Sequence, residues 1–196
     1  MVEEKTIGVI LAGGASRRYG SPKAFATSKG KMFYEIAYQI AAASCDEVVI
    51  VTQPKFVERF PTGYDVITDV EQYAGCGPLA GIYSAMRYKR AENYVVLPCD
   101  MPLLTASILK RLQAYHKEDV TVTVADGYVQ PLVSLWRRST LSSIQACLDA
   151  RAFNMSSVLE RVSVVYVEKE TLTSSPYAFM NVNTVQDKKE MRKWQK

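Results

Sequence analysis

Residues Gly8 to Ala24, GVILAGGASRRYGSPKA, decide how the rest of the chain is read. The apolar run Ile7 to Leu11 reads as a buried strand. It delivers into a loop that carries Gly13, Gly14, Arg17, Arg18, Gly20 and Lys23. Glycines just after a strand let the main chain turn sharply and approach a ligand closely, because they have no Cβ. N–H groups exposed in such a turn suit phosphate oxygens, and the three cations supply charge for the same anion. Gly13-Gly14 alone would equally fit an ordinary β–α turn with solvated cations; two arginines and a lysine so close by weigh against that. The loop matches neither G-x-x-x-x-G-K-[ST] nor G-x-G-x-x-G.

Moving outward, the 196 residues fit one large domain or two small ones, and no repeat, linker or low-complexity stretch divides them, so a single domain over 1–196 is expected. Hydrophobic residues make up 48% and charged residues 22%, enough for a sizeable core. The net charge of +4 carries no long block of one sign, which argues against a nucleic-acid or membrane-surface role but suits a small anionic substrate. Cys45, Cys76, Cys99 and Cys147 form no C-x-x-C pair, so a zinc or redox site is not expected. The acidic N-terminus enters a strand at once, with no signal-peptide pattern, and no apolar run approaches the ~20 residues that span a bilayer. A cytoplasmic location is therefore the expectation.

After the loop, Phe33, Ile36, Ala37 and Ile40 predict a helix over Lys31 to Ala43. Glu47 to Val51 reads as a second strand, and Pro54 starts a short helix through Phe60. Tyr64 to Thr68 is a third strand, ending at Asp69. Leu79, Ile82, Tyr83 and Met86 mark a helix to Tyr88, and Asn93 to Leu97 a fourth strand. Thr105 caps a helix with Ile108, Leu109 and Leu112 inward. His116, at its end, reads as a favourable charge at a helix C-terminus rather than as a ligand. This alternation argues for an α/β fold, a mostly parallel sheet with helices on both faces. Farther on, Val120 to Val124 and Tyr128 to Trp136 flank Asp126-Gly127, a hairpin signal that makes one strand antiparallel. Leu141, Ile144 and Leu148 mark another helix, and Ser157 to Glu160 resembles a capping box. Ser163 to Val167 is a further strand. Thr184 to Asp187 caps the last helix, whose basic tail reads as a solvated face.

In an open parallel sheet, ligands bind beyond the carboxyl ends of the strands. That edge receives Gly13, Gln53, Asp69 and Asp100. Phosphates beside carboxylates repel unless a cation intervenes, and Mg2+ is commonly held by one or two carboxylates plus substrate phosphates. Asp100, restrained between Pro98 and Pro102, is the better metal ligand; a turn-capping role is its alternative. Asp69 reads equally as a turn residue. Gly75 to Gly81, GCGPLAG, opens a helix: the small residues either admit a planar base or a phosphate to main-chain N–H groups or allow close helix–sheet packing at Gly81. Asn181 and Asn183 share a face of an extended segment, where amides suit a polar heterocycle or merely turn the chain.

Leu11 to Lys23 resembles the L-A-G-G-x-S-x-R-x-G-x-x-K signature of nucleotidyltransferases. With Asp69, Gly77-Pro78-Leu79-Ala80-Gly81, Pro98-Cys99-Asp100-Met101-Pro102 and Asn181-Val182-Asn183-Thr184, the chain resembles the molybdenum cofactor guanylyltransferases over nearly its whole length. The resemblance implies a Rossmann-like nucleotidyltransferase sheet and transfer of GMP from GTP to molybdopterin carrying its metal, with release of pyrophosphate and Mg2+ as cofactor. It implies that Leu11, Ala12, Gly13, Gly14, Gln53, Asp69, Gly77 and Gly81 bind the nucleotide. Lys23 meets its phosphates, Arg18 is the loop arginine, Asp100 holds the metal, and Asn181 and Asn183 lie near the pterin. Gln53 stands where some members carry an asparagine; glutamine offers the same groups on a longer arm. Transient contact with other molybdenum cofactor proteins is implied too. The competing readings are a cytidylyltransferase, a sugar-phosphate nucleotidyltransferase, and a GTP-binding protein without catalysis.

Overall fold

The computed structural model describes residues 4–14 and 22–194. In chain order its regular elements are β1 (Thr6–Leu11), β2 (Thr27–Ser28), β3 (Lys31–Met32), α1 (Phe33–Ala42), β4 (Glu47–Thr52), β5 (Val66–Thr68), α2 (Pro78–Tyr88) and β6 (Asn93–Pro98). There follow α3 (Ala106–Ala114), β7 (Val120–Ala125), β8 (Tyr128–Arg137), α4 (Leu141–Asp149), α5 (Met155–Leu159), β9 (Val164–Glu168), α6 (Lys169–Leu172) and α7 (Val185–Trp194). Seven strands form one sheet in the order β5-β4-β1-β6-β8-β7-β9. β8 runs antiparallel to β6 and β7, and the other neighbouring pairs are parallel.

β1 sits between β4 and β6, so both of its faces must be apolar, and Ile7, Val9 and Ile10 are fully buried. Ile10 belongs to the core beneath α1 and α3, and Ile7 and Val9 to the core beneath α2, α4 and α5. Alternate residues of one strand thus serve opposite layers, as the period of two requires. In α2 the spacing of Leu79, Ile82, Tyr83 and Met86 buries all four. A small third cluster, Ala26, Phe33, Val182 and Met191, seats α7 beside the start of α1.

Several local expectations hold. Asp126 and Gly127 adopt φ of 53° and 77°, the left-handed pair of a tight hairpin between β7 and β8. The last helix carries its capping box: Thr184 Oγ1 accepts from the Asp187 N–H at 3.1 Å, and Asp187 Oδ2 accepts from the Thr184 N–H at 2.8 Å.

Others are corrected. The first helix starts at Phe33, because Lys31 and Met32 pair with Thr27 and Ser28 across a turn at Lys29 and Gly30. The Pro54 helix is a 3-10 turn, Pro54–Arg59. Thr105 stands at the N-cap of α3, but its hydroxyl lies 2.9 Å from that of Ser107 and caps no backbone group. The cap of α5 is Asn154, which accepts from the Ser157 N–H at 2.8 Å, not a box at Ser157. His116 is not a charged helix end: burial foremost, and then the Arg137 charge, push its pKa down to about 4, and Nδ1 pairs with Thr121 Oγ1 at 2.9 Å.

β8 also holds an interruption. Ser134 pairs with Val122 and Gln130 with Thr123, so Pro131, Leu132 and Val133 bulge out of the ladder. Pro131 has no N–H to give to that ladder. The Ser134 hydroxyl donates to the Pro131 carbonyl at 2.7 Å and accepts the Trp136 indole N–H at 2.7 Å, which satisfies a fully buried tryptophan.

Candidate active site

Beyond the carboxyl ends of β1, β4, β5 and β6 lies a cavity of about 770 Å³. Leu11 to Gly14 enter it from β1, Thr52 to Lys55 from β4, Asp69 from β5, and Pro98 to Asp100 from β6. Gly75, Gly77 and Gly81 approach from the turn into α2, and Leu132 from the bulge of β8. The size suits a nucleotide-scale ligand.

One side of the cavity is charged. Lys23 Nζ lies 2.5 Å from Asp100 Oδ2 and 2.6 Å from Asn183 Oδ1. The two charged side chains are only 15% and 21% exposed, so water screens their attraction poorly. The Val182 N–H donates to the Asp100 carbonyl at 2.8 Å, which ties the segment before α7 to the loop after β6. Asn183 therefore joins the site through Lys23. Asn181 is exposed and is not among the residues that line the cavity. Arg17 and Arg18 lie outside the described residues.

Among the described residues, the opposite side is neutral but for Asp69 and Lys55. The Gln53 amide N–H donates to the Gly13 carbonyl, and the Ala12 N–H donates to the Val51 carbonyl at 2.8 Å, so the turn after β1 is bonded to β4. Asp69 Oδ2 accepts from the Gly75 N–H at 3.1 Å. Burial raises the Asp69 pKa, and this bond offsets part of the shift. Gly75 and Gly77 have φ of 77° and 80°, a conformation that favours glycine. Gly81 serves packing first: a Cβ there would lie 2.8 Å from Leu11 Cδ2, so its absence lets α2 close on β1.

Sequence reasoning missed what holds this glycine loop. The Val70 N–H donates to Ser84 Oγ at 2.8 Å, and the Tyr73 hydroxyl donates to Asp149 Oδ1 at 2.5 Å while its ring meets Tyr83 edge-on. Nothing in the local pattern joins Tyr73 to a residue of α4. Leu132 and Lys55 were missed as well, although a proline inside the β8 run signals a bulge and Pro54 signals a turn beside the sheet edge. Cys99 lines the cavity, but burial pushes its thiol up to about 12, so it is no nucleophile at neutral pH. Among the described residues no three His, Cys, Asp or Glu side chains cluster as a metal site.

Residues 8–169 match the family model of the MobA-like NTP transferase domain. A probable molybdenum cofactor guanylyltransferase of Bacillus subtilis (strain 168) is 40% identical over 188 residues, covering 93% of this chain and 92% of the relative. The chain belongs to the MobA-like NTP transferase family. The fold is shared with the crystal structure of molybdopterin-guanine dinucleotide biosynthesis protein A from Archaeoglobus fulgidus, which superposes with a TM-score of 0.82 at 24% identity, covering 96% of this chain and 98% of that one. The fold is also shared with the 2-C-methyl-D-erythritol 4-phosphate cytidylyltransferase of Thermus thermophilus. That match has a TM-score of 0.71 at 15% identity, covering 95% of this chain and 97% of that one. No helix of the described residues is long and apolar enough to cross a membrane.

Proposed function

We infer that this nucleotidyltransferase moves GMP from GTP to molybdopterin, forming molybdopterin guanine dinucleotide and pyrophosphate. The observation that carries the reading is the pairing of Lys23 with Asp100 at the mouth of β1 and β6, in a chain 40% identical over 188 residues to a probable molybdenum cofactor guanylyltransferase. The acceptor's terminal phosphate is anionic at neutral pH and needs no strong general base. One of its oxygens attacks the α-phosphorus, the bond from that phosphorus to the bridging oxygen breaks, and pyrophosphate leaves with the electron pair. Catalysis is then positioning and charge neutralisation.

Lys23 and Arg18 balance the triphosphate charge, and main-chain N–H groups near Gly13 and Gly14 meet its oxygens. Leu11, Ala12, Gln53, Asp69, Gly77 and Gly81 enclose the nucleoside, with Asp69 as the acceptor for base or ribose donors. Asn183, on Lys23, is placed to meet the acceptor beside the phosphates, and Asn181 would meet the pterin only where it extends outside this cavity. Asp100 fits Mg2+ through its hard carboxylate oxygen, with the remaining ligands drawn from substrate phosphates and water, as is usual for this ion. The metal would add positive charge at the α-phosphate and the leaving pyrophosphate.

Titration calorimetry with GTP, CTP, ATP and UTP, each with Mg2+, tests the reading. Selective GTP binding is expected. Selective CTP binding would move the protein to a cytidylyl activity on the same fold. GTP binding with no pyrophosphate release when metal-loaded molybdopterin is added would refute catalysis.

A further inference from the structure

The first turn of the last helix is wired to the lysine of the cavity. Asp187 Oδ2 accepts from the main-chain N–H of Asn183 and from that of Thr184, each at 2.8 Å. Asn183 Oδ1 accepts from Lys23 Nζ at 2.6 Å, and Asp100 Oδ2 takes the same ammonium at 2.5 Å. Between them Val182 is fully buried against Ala26, Phe33 and Met191, and its N–H holds the Asp100 carbonyl. The path from Asp187 to the ammonium is therefore one carboxylate, one residue of backbone and one side-chain amide. Asp187 also feels the lysine directly. Burial pushes its carboxyl up, but the Asn183 and Thr184 bonds and the Lys23 charge outweigh this and leave it below the usual carboxylate range.

A lysine side chain has four rotatable bonds and about 2 kcal/mol of rotamer entropy, so an ammonium that must meet a phosphate gains from being held beforehand. Asp100 alone offers one anchor. Asn183 offers another, but only while its main chain is fixed. We propose that Asp187 is a positioning residue for GMP transfer: it fixes the Asn183 backbone so that the Asn183 amide holds Lys23 Nζ where the triphosphate arrives. This rests on the reading of Lys23 as a phosphate contact.

The competing role for Asp187 is a plain helix cap, and its own capping box supplies the control. Thr184 Oγ1 caps the same helix at the Asp187 N–H and makes no bond to Asn183 or Lys23 in the network described. The experiment compares full-length Asp187→Ala, Thr184→Val, Asn183→Ala, the Asn183→Ala/Asp187→Ala double variant and Lys23→Ala. Each is assayed for pyrophosphate release from GTP with metal-loaded molybdopterin, for binding of Mg·GTP, and for Tm. Asp187→Ala is expected to lower kcat about tenfold or more, the scale set by a sub-ångström to ångström misplacement of a catalytic group. Thr184→Val should lower Tm comparably and keep kcat within about twofold, and the double variant should be no worse than Asn183→Ala, since both act on one path.

Equal losses of kcat in Asp187→Ala and Thr184→Val, or additive losses in the double variant, would overturn the proposal in favour of a cap. Should Asp187→Ala fail to fold, Asp187→Asn keeps one acceptor oxygen without the charge. A smaller loss of both kcat and Tm than in Asp187→Ala is expected there, because the carboxylate charge also stabilises the fold, and an unchanged kcat overturns the proposal. Full turnover in Lys23→Ala would instead remove the reading of Lys23 itself, which separates that failure from a failure of Asp187.

Discussion

Replacing Gly81 with alanine sets three effects against one another. A Cβ at that position would lie 2.8 Å from Leu11 Cδ2, 3.4 Å from Val51 Cγ1 and 3.8 Å from Asp69 Oδ1. The first contact is closer than carbon atoms tolerate, so something must shift, and overpacking of this kind costs about 1–3 kcal/mol. Alanine in a helix interior returns about 1 kcal/mol relative to glycine. The net cost to stability is then about 0–2 kcal/mol, which for a chain of this size lowers Tm by about 2–4 °C per kcal/mol. The yielding atom is the end of a leucine side chain, and Leu11 lines the cavity. Its displacement narrows the space beside Asp69 and Gly13. Gly81→Ala is therefore expected to melt no more than about 8 °C below the wild type yet to bind GTP about tenfold more weakly, a loss of about 1.4 kcal/mol. Differential scanning calorimetry and GTP titration on the same preparation read both quantities. A GTP affinity within about twofold of the wild type, with the whole cost appearing in Tm, would show that α2 moves away from β1 and would refute the argument that the strain enters the cavity.

Tyr73→Phe removes the hydroxyl that ties the Asp69–Gly77 loop to Asp149, and the expected result is a several-fold rise in KM for GTP with kcat nearly unchanged; steady-state kinetics decide it, and a fall in kcat alone would contradict it. Asp69 holds its proton more tightly folded than unfolded, so its contribution to stability is present in acid and lost as pH rises through the raised folded value. Asp69→Asn should thus raise Tm at pH 7 while weakening nucleotide binding, with the Tm advantage gone once the pH falls below the ordinary carboxylate range; no gain at pH 7 would refute it. His116 is the opposite case. Its folded pKa of about 4 lies below the ordinary value of about 6.5, so its stabilising contribution is complete above the latter and lost as pH falls between the two. His116→Gln should flatten the stability profile in that window, as denaturant melts from pH 4 to pH 7 would show.

What the sequence made legible is what neighbouring residues determine. The apolar run into Gly13, the four-residue spacing in α2, the Asp126-Gly127 turn and the Thr184–Asp187 box are each settled within a dozen residues, and each forms as its local physics requires. The cavity edge followed from topology, since parallel strands deliver their carboxyl ends together. The errors are of another kind. His116 sits where a helix end would favour charge, but β7 packs Thr121 onto it and burial wins, which no helix-end rule anticipates. Ser157 loses the cap to Asn154 because the helix starts at Met155, two residues before the apparent capping box. The site shows the same limit most plainly. Residue by residue, Lys23 was assigned to phosphates, Asp100 to a metal and Asn183 to a pterin, three tasks for three distant segments. The fold brings all three onto one ammonium. An incoming triphosphate must therefore compete with a carboxylate and an amide for Lys23, and whatever loosens that grip also releases Asp100 and Asn183. The groups expected to act on metal and acceptor are thereby coupled to nucleotide arrival by hydrogen bonds that span 77 and 160 residues of chain.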